Sequence, residues 1–157
     1  MLAGDAGAET PAAKLPAASE LSRDGRLAIQ RGVPVVILFS LPSCSYCETV
    51  RRNYLIPLAR EGTAPQRSLV READMSSIAP LRGFRQEPSS GKALAAVYKI
   101  RVAPSVIVVD GRGKLLAPVL EGGDVSGMYG AYLDNALAAA RSVLASPAPQ
   151  SSKGSKQ

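Results

Sequence analysis

The sequence contains no histidine and no tryptophan, and only two of its 157 residues are cysteines. Without histidine the chain lacks the usual acid–base side chain and the commonest neutral metal ligand, which excludes a Ser-His or Cys-His mechanism. Two cysteines are too few for a disulfide-stabilised scaffold. A structural zinc site needs four cysteine or histidine ligands and one chain offers two, so we predict no metal site.

Aromatic residues are also scarce, with five tyrosines and two phenylalanines in the whole chain. Proteins that bind single-stranded nucleic acid usually stack the bases on aromatic side chains. The net charge is +6, but the lysines and arginines are spread along the chain and mark no basic reading element. We therefore expect no nucleic-acid partner.

Long apolar runs are missing as well, and the longest, residues 33–38, has the length of a strand. A membrane span needs ~18 apolar residues, so we expect none. Residues 1–19 are rich in alanine, proline and glycine and lack the apolar core of an intact signal peptide. We interpret them as the start of an exported, for example periplasmic, protein whose signal peptide has been removed. A cytoplasmic protein with a loose N-terminus is the alternative.

The length favours one domain that can bury its own core. We expect a flexible lead-in over residues 1–18, a folded domain over residues 19–145 and a disordered polar tail over residues 146–157.

Apolar periodicity predicts the order helix, strand, helix, strand, helix, strand, strand, helix. The clearest strand is Val33–Ser40, which is apolar throughout and typical of a strand buried on both faces. This order favours an α/β fold with a mixed sheet of about four strands, covered by helices on both faces. The other predicted elements are helix 18–32 capped by Ser19, a helix from Cys44 to Gly62 interrupted near Pro57, strand 67–75, loop 76–90, helix 90–100, a hairpin of strands 105–109 and 114–120, and helix 124–145 capped by Asp124 or Ser126.

Both cysteines lie in the stretch SLPSCSYCETV, directly after the buried strand. Cys44 falls at the start of the predicted helix, where unsatisfied N–H groups and the helix dipole favour a thiolate. Cys47 follows on the same helical face and can attack a mixed disulfide formed at Cys44. A CxxC beside a βαβ pattern therefore favours thiol–disulfide exchange. The alternatives are an inert cross-link, which closes too short a loop to stabilise the fold much, and two unrelated buried thiols.

Two stretches together, VVILFSLPSCSYC and AVYKIRVAPSVIVVDGRGKLL, resemble the strand–CxxC–helix unit and the cis-proline loop with hairpin of the thioredoxin superfamily. The chain looks most like bacterial exported thioredoxin-like proteins, over roughly residues 20–145. The resemblance implies that Cys44 is the attacking and Cys47 the resolving cysteine. It also implies that Pro104 follows a cis peptide bond and faces the disulfide, and that Ala103 binds substrate. Ser45 and Tyr46 complete the predicted substrate-binding set.

The resemblance implies a thiol–disulfide oxidoreductase that acts on protein thiols or disulfides together with a redox partner protein. We expect it to need no cofactor and to be a monomer. In cytosolic thioredoxins, the strand before the motif contains a buried aspartate. The corresponding strand of this chain has no carboxylate, which leaves Glu48 as a weak candidate proton acceptor for Cys47. The direction of electron flow is not set by the sequence.

Two alternative functions stay open. The motif CSYC and the residues Gly122–Asp124 are similar to glutaredoxin motifs. One alternative is therefore a glutaredoxin-like protein that uses glutathione or holds an iron–sulfur cluster. The other is a thioredoxin-fold binding module with a vestigial CxxC, which recognises its partner through the 76–90 loop or the basic surface.

Overall fold

The computed structural model describes residues 14–60 and 68–146. The helices are α1 (Leu21–Arg31), α2 (Ser45–Val50), α3 (Ile56–Arg60), α4 (Gly91–Val97) and α5 (Tyr129–Ala145), with a π-helical segment (Arg51–Leu55) that joins α2 to α3. The strands are β1 (Val35–Ser40), β2 (Leu69–Asp74), β3 (Pro80–Arg82), β4 (Pro88–Ser90), β5 (Ser105–Val109) and β6 (Leu120–Glu121).

Four strands form a mixed sheet in the order β2-β1-β5-β6. The central strand β1 runs parallel to β2 and antiparallel to β5, and every residue of β1 is buried. The register sets Ser40 opposite Asp74 of β2, and Phe39 opposite Ser105 of β5. The C-terminal ends of β1 and β2 therefore meet the start of β5 at one edge of the sheet.

Alternating side chains of β1 divide the core into two layers. Val36 and Leu38 pack with residues of α2, α3 and α5, whereas Val35, Ile37 and Phe39 pack with residues of α1 and α4. Helices thus cover both faces of a four-stranded mixed sheet, which confirms the predicted fold class.

The predicted hairpin is only partly correct. The turn after β5 forms, with the Asp110 N–H donating to the Lys114 carbonyl and the Leu116 N–H donating to the Val108 carbonyl. The predicted return strand over residues 114–120 is wrong, because regular pairing resumes only in β6. Pro118 has no N–H to donate, and a proline disrupts a strand at such a position.

The predicted helix caps, Ser19 for the first helix and Asp124 or Ser126 for the last, are wrong, and the N-cap residue of α5 is Met128. The N-cap residue of α1 is Glu20, whose side chain makes no capping bond, and α5 begins at Tyr129 after a loop that contains Gly127 at φ +72°. Ser90, by contrast, caps α4 as predicted, since its hydroxyl accepts a bond from the Ala93 N–H at 3.1 Å.

Two other segments are more ordered than the sequence indicates. The predicted loop 76–90 contains the antiparallel pair β3–β4. Residues 14–18, which fall in the predicted flexible lead-in, lie along the outer edge of β2, where the Glu72 N–H donates to the Pro16 carbonyl and the Ala18 N–H donates to the Glu72 carbonyl. Leu15 and Ala18 are buried there.

The helix interruption follows the prediction, because the π-helical segment lies immediately before the turn that holds Pro57. The lead-in before Lys14, the predicted helix end at Gly62 and the tail from Pro147 lie outside the described residues. Within the described ranges, no helix has both the length and the hydropathy to span a bilayer.

Candidate redox site

The chain turns sharply between the end of β1 and the first cysteine. Ser43 adopts a left-handed conformation at φ +57°, and Cys44 is extended and serves as the N-cap residue of α2. The Cys44 Sγ accepts a hydrogen bond from the Cys47 N–H at 3.1 Å. The first cysteine therefore occupies the position where a helix end best stabilises a negative charge.

The two cysteines form a disulfide, with their Cα atoms 5.2 Å apart. Cys47 is fully buried, whereas Cys44 is partly exposed. The pair thus combines one sulfur that solvent or a partner can reach with one that only Cys44 can reach. Over the described part of the chain, no group of three Cys, Asp or Glu side chains is placed to hold a metal ion.

The loop before β5 reaches the same edge of the sheet. The Ala103–Pro104 peptide bond is cis, and Pro104 directly precedes Ser105, the residue paired with Phe39. Pro104 is therefore placed level with the end of β1, from which the chain passes to Cys44. Its side chain is buried, while Ala103 is half-buried.

Tyr46 connects the CxxC to the Pro104 loop through two glycines. The Gly122 N–H donates to the Pro104 carbonyl at 2.8 Å. A Cβ atom added to Gly123 would lie 3.0 Å from the Tyr46 side chain, so that side chain packs directly on the glycine backbone. Tyr46 is nevertheless 58% exposed. Of the predicted substrate-binding residues, Tyr46 and the Pro104 loop are brought together, and Ser45 lies exposed at the start of α2.

An ion pair at this edge was not predicted from the sequence. Glu72 of β2 accepts bonds from the Arg51 Nε at 3.1 and 3.0 Å, one to each carboxylate oxygen, and pairs with the Arg51 Nη2 as well. The Ser40 hydroxyl donates to the same carboxylate at 2.7 Å. The hydrogen bonds to Glu72 raise the pKa of Arg51 above its ordinary value, against the opposing effect of burial.

Arg51 also reaches a polar groove beside Cys44. The groove has a volume of about 390 Å³ and runs from the turn after β1 to the first turns of the helix. It is lined by Leu41, Pro42, Ser43, Cys44, Ser45, Glu48 and Arg51. Glu48 is exposed and does not lie beneath Cys47, which makes it a solvent-side charge rather than a buried proton acceptor.

A second polar cluster fastens the loop after β6 to the helix that follows the CxxC. The Tyr54 hydroxyl donates to the Asp124 carboxylate, which also accepts the Tyr129 N–H at 3.4 Å. The Tyr54 and Tyr129 rings pack with their centroids 5.0 Å apart. The bond to Asp124 raises the pKa of Tyr54 above its ordinary value. Asp124 thus anchors the loop that carries Gly122 and Gly123.

A buried central strand that ends in a CxxC at a helix tip, with a cis-proline at the same sheet edge, defines a protein of thioredoxin fold. The chain belongs to the thioredoxin-like domain family, whose model matches residues 21–136. Among solved structures, it is similar to a thioredoxin-fold protein from Helicobacter pylori, with a TM-score of 0.52 and 17% sequence identity over 76% of this chain and 85% of that chain. No curated protein matches it in sequence.

Proposed function

We propose that the protein is a thiol–disulfide oxidoreductase that exchanges disulfides with other proteins through Cys44 and Cys47. The observation that carries the proposal is the asymmetry of the pair. Cys44 is partly exposed and its sulfur accepts an N–H bond at the helix tip, whereas Cys47 is buried one turn behind it. An inert cross-link needs neither feature, and a loop this short contributes little to stability.

In the reducing direction the protein starts as the dithiol. The Cys44 thiolate attacks one sulfur of a partner disulfide, which forms a mixed disulfide and releases the other partner sulfur as a thiolate that takes up a proton. Cys47 then loses its proton and attacks the Cys44 sulfur. This step forms the Cys44–Cys47 disulfide and releases the second partner thiolate. Two electrons pass to the partner, and the oxidising direction is the reverse sequence.

We assign substrate binding to the residues that surround the Cys44 sulfur. Ala103 and Pro104 form the cis-proline loop level with the end of β1, and Tyr46 presents an exposed ring supported by Gly123. The backbone groups of Ala103 can hydrogen-bond to an extended partner segment, and the Tyr46 ring offers apolar contact area. Ser45 provides a hydroxyl at the helix tip.

The partners are protein thiols or disulfides and a second redox protein that restores the starting state. We further propose a monomer that works after export to an oxidising compartment such as the periplasm, where a dedicated thiol–disulfide protein has substrates.

Two assays on the purified protein test the function. The first follows reduction of insulin disulfides with dithiothreitol as electron source, and the second follows oxidation of a reduced, unfolded protein by the Cys44–Cys47 disulfide. We expect clear activity in at least one assay and a Cys44→Ser variant reduced to the uncatalysed rate in both, a loss of ~10³-fold or more. The ratio of the two activities gives the direction.

Wild-type protein that is inactive in both assays would reject the proposal. A brown protein with charge-transfer absorbance that reacts preferentially with glutathione would instead favour the glutaredoxin-like alternative. A Cys44→Ser protein that keeps its full biological activity would favour a binding module.

A further inference from the structure

We propose that Glu72 acts as a positioning residue that holds the Arg51 cation in the groove shared with Cys44 and cancels its charge, which keeps that cation from stabilising the Cys44 thiolate. This inference deepens the proposed function and rests on exchange chemistry at Cys44. It identifies a charge pair outside the CxxC motif whose balance limits how far the Cys44 thiolate is stabilised.

The Arg51–Glu72 ion pair is held on the sheet by Glu72 of β2. Glu72 stands opposite Leu38 in the register, so its side chain lies on the face covered by α2 and α5. Its carboxylate accepts bonds from Arg51 and from the Ser40 hydroxyl. The two charged side chains are only 20% and 17% exposed, which limits screening by water.

Helix geometry brings Arg51 next to the redox cysteines. Arg51 lies one turn after Cys47, and its N–H donates to the Cys47 carbonyl. Side chains on a helix lean toward its N-terminus, which directs the Arg51 side chain back toward the cysteines. Arg51 and Cys44 accordingly line the same polar groove. Arg51 is the only cation among the residues that line this groove.

The sign of the effect follows from the charges. A cation near a thiol favours the thiolate, and a carboxylate disfavours it. With Glu72 ionised, the pair is neutral and its influence on Cys44 is small. Removing the Glu72 charge leaves an uncompensated cation, and removing Arg51 leaves an uncompensated anion. The two changes therefore have opposite effects on Cys44.

Several other charged residues lie at this edge of the sheet and also contribute to the electrostatic field at Cys44. Glu48 lines the groove from the helix side. Glu121 lies on β6 opposite Ser105, and Asp124 on the following loop is bound to Tyr54. Arg101 is exposed ahead of the Pro104 loop. None of these residues changes in the variants below.

Two variants that each remove one charge, Glu72→Gln and Arg51→Gln, separate the two effects on Cys44. The readouts are the pKa of Cys44 in the reduced protein, from ultraviolet thiolate absorbance, and the equilibrium of the disulfide with glutathione. In Glu72→Gln we expect the pKa of Cys44 to fall by about half a unit to one unit. A stabilised thiolate favours the reduced state, so the equilibrium shifts toward the dithiol by roughly threefold to tenfold, or ~15–30 mV. Arg51→Gln shifts both readouts the opposite way.

The ion pair between Asp24 and Arg71 provides a matched control. It is also bidentate, with the Arg71 Nε and Nη2 donating to the two Asp24 carboxylate oxygens at 2.9 and 2.8 Å. The Arg71 side chain is 19% exposed and the Asp24 side chain 11%. Arg71 neighbours Glu72 in sequence but lies on the opposite face of the sheet. Asp24→Asn should cost stability as Glu72→Gln does and leave the pKa of Cys44 unchanged. Glu72→Asp, which keeps the charge, should also keep that pKa.

The outcomes are distinct. An unchanged pKa of Cys44 in both Gln variants, shifts of the same sign in both, or an equal shift in Asp24→Asn would overturn the inference. If Glu72→Gln does not fold, Arg51→Gln alone still has to raise the pKa of Cys44. If the wild-type protein shows no exchange activity while the opposite pKa shifts appear, the proposed function fails and the charge pair stands.

Discussion

A Cys47→Ser protein is expected to accumulate a covalent complex with its partner through Cys44. The Cys47 sulfur is fully buried and its Cα lies 5.2 Å from that of Cys44, so it is already placed to resolve a mixed disulfide. An oriented intramolecular group reacts far faster than a free thiol in solution. We expect the mixed disulfide to persist ~10²-fold longer in the variant, or more. Insulin as the disulfide partner, non-reducing electrophoresis and intact mass measurement will show the complex.

The matching control is the Cys44→Ser protein, which keeps a buried Cys47. It should form no complex, because the Cys47 sulfur is shielded from a partner. Equal trapping by both variants, or trapping by Cys44→Ser alone, would contradict the assigned order of the two cysteines.

A Phe39→Ala protein is expected to lose ~3–5 kcal/mol of unfolding free energy. Phe39 is fully buried, belongs to the core layer shared with α1 and α4, and lies near the Tyr98 ring at 6.4 Å between centroids. Truncation leaves a cavity beneath the strand that carries the CxxC. Domains of this size have about 5–15 kcal/mol of stability in total, so the loss takes a large part of it. Urea unfolding followed by circular dichroism measures the change.

Tyr132→Ala is the matched control, since it also removes an aromatic ring but from a helix position that is 52% exposed. We expect a change within ~0.5 kcal/mol for that variant. A Phe39→Ala protein as stable as Tyr132→Ala would show that β1 is not the buried central strand of the fold.

The buried strand β1 and the position of the CxxC at a helix tip could be predicted from local sequence. Residues 35–39 form an uninterrupted apolar run, and only a strand covered on both faces buries such a run completely. The CxxC follows this strand directly, so both cysteines fall at the helix tip whatever the rest of the chain does. The Pro104 loop was placed by resemblance and not by any local pattern.

The contacts that join distant segments could not be predicted. Arg51 and Glu72 are 21 residues apart in sequence, and nothing in either segment specifies that they pair. The contact between Tyr54 and Asp124 spans 70 residues, and neither segment specifies that they meet. The order of residues 14–18 likewise depends on a free edge of β2, which exists only once the sheet has formed.

The shortened hairpin, by contrast, has a local cause that the sequence contains. Turn residues and alternating apolar positions indicate two paired strands, but Pro118 removes one N–H where the ladder needs it. Ladder pairing with β5 is therefore limited to β6, apart from an isolated bridge between Val109 and Leu115. The Gly122 N–H, directly after β6, donates to the Pro104 carbonyl. Gly123 follows there and provides the space that the Tyr46 side chain occupies.

Alkylation of the reduced protein as a function of pH tests the central claim most directly. Iodoacetamide labelling, read residue by residue by mass spectrometry, reports which sulfur is exposed and at which pH it ionises. We expect that Cys44 reacts first, with an apparent pKa below the ordinary value of ~8.5 for a free thiol, and that Cys47 stays unlabelled in the folded protein. Faster labelling of Cys47, or a Cys44 that reacts only above the ordinary thiol pKa, would contradict it.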